Sequence, residues 1–152
     1  MNRRQYLFLF LLGVGVTLAV ASYQSTPGYM DADYYFAGGL RLAEGEGFTE
    51  VTLWNYLDDP AGLPHPSHVY WMPLASIAAW IGIEIFPSLA SFEAAQIIFV
   101  LIAGLIPPLT AGLSYSFTGK QKLARLAGIL AAFSGFYISF LAASDTFGIY
   151  MV

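Results

Sequence analysis

Apolar positions along this chain come in long runs rather than in the alternations of a soluble domain. Four stretches stand out: Tyr6 to Ser22, Val69 to Phe86, Ala94 to Phe117 and Leu126 to Ala143. About 20 apolar residues in helical form cross the hydrocarbon core of a bilayer, so each stretch is a candidate span. The second is the poorest. It contains Pro73 and Glu84, ends at Pro87, and carries Tyr70, Trp71 and Trp80, residues that favour the membrane interface. A charged carboxylate at the bilayer centre costs about 3 kcal/mol or more, so a helix over 72–86 is expected to lie in the outer leaflet instead of crossing. In the third stretch, Pro107-Pro108 predicts a kink. The pattern predicts an all-α membrane protein with three transmembrane helices, at about 6–22, 94–117 and 125–143. A long outward loop over 23–92 carries surface helices at about 31–43 and 72–86. A further span is expected to begin at Ile149-Tyr150-Met151-Val152, making residues 1–152 the N-terminal part of a longer polytopic module.

Charge strengthens this reading. Residues are 57% hydrophobic and 11% charged, against about 25% charged in soluble domains, and the mean hydropathy is +0.63. Arg3, Arg4, Lys120, Lys122 and Arg125 form two short basic clusters, and only Arg41 lies elsewhere. Nine of the ten acids fall between Asp31 and Glu93, and the tenth is Asp145. Cytoplasmic loops collect Lys and Arg, so both basic clusters should face the cytoplasm. An even number of crossings must then separate Arg4 from Lys120, which again leaves Val69–Phe86 out of the membrane count. The expected location is a multi-pass cell-membrane protein with a cytoplasmic N-terminus and an extracytoplasmic acidic loop. Ala19-Val20-Ala21 also resembles a signal-peptide cleavage site, and the loop faces outward in either case. The chain has no cysteine, which excludes disulfides and thiolate chemistry, and a net charge of −4 with no basic tract, which argues against nucleic acid as a partner.

The loop holds the candidate chemistry. Asp31 to Ala43 has helical spacing and is stopped by Gly45 and Gly47, Phe48 to Leu57 is rich in β-branched and aromatic residues, and Asp58 to Gly62 reads as a turn. Asp31 and Asp33 lie a few residues beyond the first span, where a carboxylate serves as a general base or as a cation ligand. Asp31 also suits the N-cap of the following helix. Asp145, next to Ser144, leaves the last span on the same side as Asp31 by the parity argument. His65 and His68 are a candidate metal pair, a phosphate contact or ordinary loop packing. Arg41 suits a lipid phosphate or an ion pair with Glu44.

Asp31-Ala32-Asp33-Tyr34-Tyr35, followed by Leu42-Ala43-Glu44-Gly45, is similar to the opening acidic motif and juxtamembrane helix of the GT-C superfamily of integral-membrane glycosyltransferases. Tyr70-Trp71-Met72-Pro73-Leu74 resembles that family's entry to a second surface helix, and Ser144-Asp145 falls where it has a second acidic residue. The resemblance implies Asp31 as the catalytic carboxylate, with Asp33 and Asp145 as supporting acids or metal ligands for a divalent cation such as Mg or Mn. The candidate substrate contacts are Tyr34, Tyr35, Arg41, His65, His68 and Tyr70. The implied donor is a polyprenyl-phosphate sugar, the acceptor a lipid, glycan or protein, and membrane lipids surround the module. Several relatives carry Asp-Glu where this chain has Asp31-Ala32, which leaves Asp31 and Asp33 both in contention as the base. The alternatives are a transporter or a non-catalytic membrane subunit. Embedded carboxylates would mark a transporter, whereas these acids cluster in the loop and at span ends.

Overall fold

A computed structural model describes residues 1–53, 61–133 and 135–152. The expected turn at Asp58-Asp59-Pro60 and residues 54–57 of the β-like segment lie outside that description. The protein is mostly helical, with helices α1 (Arg3–Ala21), α2 (Met30–Ala43), α3 (Leu74–Ile85), α4 (Ser91–Gly104), α5 (Ile106–Thr118), α6 (Gln121–Ala132), α7 (Ile138–Leu141) and α8 (Phe147–Met151). Among the described residues there are also two short strands, β1 (Thr49–Glu50) and β2 (His65–Pro66). The residues form two compact units, one of 1–24, 99–143 and 147–152, the other of 25–98 and 144–146.

Among the described residues, two helices are long and apolar enough to cross a membrane, Arg3–Ala21 and the run Ser91–Thr118 formed by α4 and α5. The interruption expected from Pro107-Pro108 falls at Leu105, whose amide reaches back three residues to the Ile102 carbonyl at 2.9 Å. The two prolines bring no N–H, so the carbonyls of Ala103 and Gly104 lose their usual partners and the register must reset there.

The expected continuous span at 125–143 is instead broken. Helix α6 stops at Ala132, and a 3-10 turn at Gly135–Tyr137 leads into α7, with the two pieces set at 42°. Gly135 adopts φ 60°, a left-handed conformation that no helix interior contains. The pair supplies a third, broken span or none, so among the described residues the membrane-length segments number two or three.

The first unit packs through small residues. Its buried positions on α1 are Leu9, Gly13, Thr17 and Ala21, a single stripe at four-residue spacing, while Leu7, Phe8, Leu11 and Leu18 stay exposed. Helix α6 buries Ala124, Gly128 and Ala132 in the same way. A Cβ at Gly128 would stand 2.8 Å from the Pro107 carbonyl oxygen and 2.8 Å from Leu9 Cδ1. This is the close approach that membrane helices use, because lipid tails remove the hydrophobic drive for helices to associate.

In the second unit, α2 crosses α3 at Gly38 and Gly39. A Cβ at Gly39 would lie 2.7 Å from that of Ala79. The Ser76 hydroxyl donates to the Tyr35 carbonyl at 2.8 Å and locks the crossing. The inner face of α3 is Ala75, Ser76, Ala78, Ala79 and Gly82, and Leu74, Ile81 and Ile85 are exposed. Its 12 residues rise only about 18 Å, short of a hydrocarbon core about 30 Å thick, so α3 by itself cannot cross. The strands pair antiparallel, Thr49 with Pro66 and Glu50 with His65. Strand character near Phe48 is visible in the sequence, but its partner His65–Pro66, which contains a proline, is not.

Two outcomes test this architecture. Gly128→Ala should lower the stability of the detergent-solubilised protein by about 1–3 kcal/mol, because the backbone carbonyl it meets cannot step aside. Gly15→Ala, which meets nothing within 4 Å, should be neutral or slightly stabilising; equal losses at both sites would disprove the tight contact. Single cysteines replacing Ala61 and Gln121, both exposed, should react with an impermeant thiol reagent from opposite sides of the membrane. Reaction of both from one side would overturn the charge-based topology.

Candidate active site

The site is built around the start of α2. That helix begins at Met30 with Tyr29 in the cap position and no side-chain cap bond, so Asp31 lies inside the first turn and the capping role open to it in the sequence is not taken up. Asp31 and Asp33 both stand in the first turn, where the positive end of the helix dipole favours carboxylates.

Ser144-Asp145-Thr146 belongs to the same unit as α2. The Ser144 hydroxyl donates to the Ala32 carbonyl at 2.9 Å, both groups buried. The Tyr29 phenol donates to Asp145 Oδ2, and Asp145 Oδ1 accepts from the Thr146 amide and from the Thr146 hydroxyl, the latter at 3.0 Å. Asp145 is only 3% exposed, and these three donors answer both of its oxygens. A buried carboxylate left without such donors would be strongly destabilising.

The electrostatics separate the groups. Burial raises the Tyr29 phenol far above its ordinary range, helped by its bond to Asp145 and by the charges of Asp145 and Asp31. Tyr29 is therefore a fixed donor. Burial and then the negative charge of Asp145 raise Asp31 above the usual carboxylate range. Asp31 remains exposed on the surface, so it combines a strengthened basicity with access from solvent.

Asp33 faces elsewhere. Two residues along a helix turn the side chain by about 200°, and Asp33 lines a cavity of about 390 Å³ together with Tyr34, Arg41, Glu44, Glu50 and Ser67. Arg41 is tethered there, with Nη2 and Nε at 2.9 Å and 3.1 Å from Thr49 Oγ1, Nη2 3.3 Å from Glu46, and Nη1 3.8 Å from Glu44. The Glu44 pairing open in the sequence is thus one of several that hold this guanidinium. Ser67 is buried, and its hydroxyl meets no hydrogen-bond partner among the described residues.

The two histidines part company. His65 is a buried strand residue whose Nε2 lies 3.2 Å from the Thr52 carbonyl and 3.5 Å from Glu50. His68 adopts φ 60°, and its ring sits among Tyr34, Tyr35 and Phe48 at centroid distances of 5.1, 6.2 and 5.5 Å. Its backbone amide donates to the Tyr34 hydroxyl at 2.6 Å. Both ring nitrogens are shielded from water without a hydrogen bond of good geometry, although the Trp71 backbone lies near enough to favour the charged ring. Burial outweighs that and lowers the His68 pKa. Tyr35 is buried at the crossing with α3, and Tyr70 is exposed beside Trp71. Among the described residues no three His, Asp or Glu side chains gather as a metal-holding group.

The structure therefore brings Asp31 within the electrostatic reach of Asp145, assigns Asp33 and Arg41 to a separate cavity, and places His65 and His68 in different surroundings. Sequence reasoning missed Tyr29, although a phenol immediately before an acidic helix start is a usable signal. It also missed Ser67 and the aromatic enclosure of His68, which arise from contacts distant along the chain. No family model, curated protein or solved structure matches this chain.

His68 gives a test of this geometry. Its lowered folded pKa means the neutral ring stabilises the fold above the ordinary histidine value of about 6.5. That stability is lost as pH falls from there toward the folded pKa. His68→Asn, which tolerates the left-handed backbone, should flatten this dependence in thermal-unfolding measurements. An unchanged pH profile would show that His68 does not titrate as a buried group.

Proposed function

We propose that this chain is the acid-bearing end of a membrane-embedded glycosyltransferase of GT-C type, moving a sugar from a polyprenyl-phosphate donor to a lipid, glycan or protein acceptor. The observation that carries the reading is the meeting of Asp31 and Asp145 at Tyr29: two acids from distant parts of the chain, one held fast and the other raised and accessible. The similarity of the Asp31–Tyr35 segment to the family's opening motif supplies the reaction class.

In this reading Asp31 takes the proton of the acceptor hydroxyl or amide. The acceptor atom bonds to the anomeric carbon as the carbon–oxygen bond to phosphate breaks, and the electron pair leaves with the polyprenyl phosphate. Tyr29 and Asp145 hold and tune the base; they do not contact the sugar. Arg41 lies ten residues further along α2, about 15 Å by helical rise, and suits a remote part of a substrate in the Asp33-lined cavity. No cation-holding group forms among the described residues, and no step here runs through a metal.

Assays of the full-length protein with a polyprenyl-phosphate sugar test this directly. Asp31→Asn should lower kcat by about 10²–10⁴-fold, the usual loss for a positioned base, while the fold persists and loses none of its stability at neutral pH. The sign follows from the raised pKa: the carboxylate charge is disfavoured in the folded state, and Asn removes it. Asp145→Asn removes the neighbouring charge, so the acidic limb of the pH–rate profile should move to lower pH, with a smaller fall in kcat. Full activity of Asp31→Asn would transfer the base to Asp33 and break the link with Asp145. Turnover of a nucleotide sugar without lipid donor would refute the substrate class.

A further inference from the structure

We infer that Arg4 and Arg125 form a binding site for the headgroup phosphate of an anionic phospholipid on the basic side of the membrane. The two arginines line a cavity of about 340 Å³ between α1 and α6, with Phe8, Leu9 and Ile129 as its apolar walls. No acid lines it, and neither arginine has an ion pair among the described residues. The remaining polar lining is already committed: Asn2 and Gln5 satisfy one another through a capping box, each backbone amide donating to the other side chain at 3.0 Å. The cavity is therefore a doubly cationic pocket with unclaimed donors.

Its depth and layering select a lipid. Helix α1 has 19 residues, about 28 Å by helical rise, close to the thickness of the hydrocarbon core. Arg4, in its first turn, is thus placed at the level of the headgroups. Phe8 follows Arg4 by four residues and Ile129 follows Arg125 by four, so on each helix an apolar side chain stands one turn deeper on the same face. Both are well exposed, at 58% and 38%. Charge above and hydrocarbon below is the order of phosphate and acyl chain in a phospholipid. Leu9, packed over Gly128, closes the floor. Two guanidiniums with no acid favour a net anionic headgroup over a zwitterionic one, and the guanidinium fork matches phosphate oxygens two at a time. Basic pockets between membrane helices hold anionic headgroups in this manner.

Native mass spectrometry of the purified full-length protein, titrated with phosphatidylglycerol or phosphatidylcholine, measures the site. Arg4→Gln with Arg125→Gln should weaken phosphatidylglycerol binding about 25-fold, roughly fivefold per arginine, and leave phosphatidylcholine binding unchanged. Phe8→Ser with Ile129→Ser should also weaken phosphatidylglycerol binding. Lys120→Gln with Lys122→Gln, which removes two basic charges outside the cavity lining, should have a much smaller effect. An equal loss from the lysine pair would mean diffuse attraction and overturn the site. Inorganic phosphate that displaces the lipid at comparable concentration would make this a free-anion pocket and overturn the lipid assignment.

Discussion

Everything proposed for the loop depends on the hydrogen bond from the Tyr29 phenol to the Asp145 carboxylate. Asp145 lies in a tripeptide between α7 and α8, far along the chain from α2. Burying its carboxylate is affordable only because Tyr29 and Thr146 meet both oxygens. Ser144 adds a bond to the Ala32 carbonyl, so the tripeptide is fixed to the first turn of α2 at two points. Remove Tyr29, and an unmet buried carboxylate and the raised basicity of Asp31 change together. The coupling is physical: partial burial first, and then the charge of the Asp145 carboxylate that Tyr29 meets, hold Asp31 above its ordinary range.

A second constraint sets how the helices meet. In lipid, apolar side chains gain nothing by leaving their surroundings, so contact must come from shape. This explains why buried positions here are so often Gly, Ala or Ser. Gly128 admits the Pro107 carbonyl, and the core groups Ala21–Val100–Ala142 and Ala103–Ile106–Leu141 contain no aromatic residue. Large side chains such as Phe8, Leu11 and Leu113 stay exposed, which in water would be a liability and in a bilayer is ordinary solvation.

Much of this was legible in the sequence because it follows from short-range rules. Run length identified Arg3–Ala21 and Ser91–Thr118, and Pro107-Pro108 located the interruption to within two residues. Glu84 and Pro73 marked Val69–Phe86 as unable to cross, and the helix there has only 12 residues. What was not legible depends on contacts between distant positions. Nothing local to His65-Pro66 announces a strand; it pairs because Glu50 and Thr49 lie opposite. The apolar run reads as continuous helix, yet α6 ends at Ala132 with Phe133 already out of helical geometry, and Gly135 beyond it is left-handed. The aromatic enclosure of His68 collects residues from α2 and from the segment before β1.

The spacing of Asp31 and Asp33 shows how a motif can conceal two environments. Side by side in sequence, they look like one acidic pair with shared work. A helix separates them by about 200°, so each meets a different set of neighbours. Asp33 shares its cavity with the Arg41 guanidinium. Asp31 is partly buried and lies near the negative Asp145, and both raise its pKa. Those surroundings, and not the order of the motif, are why Asp31 is the proposed base and Asp33 the proposed contact for whatever enters beside Arg41.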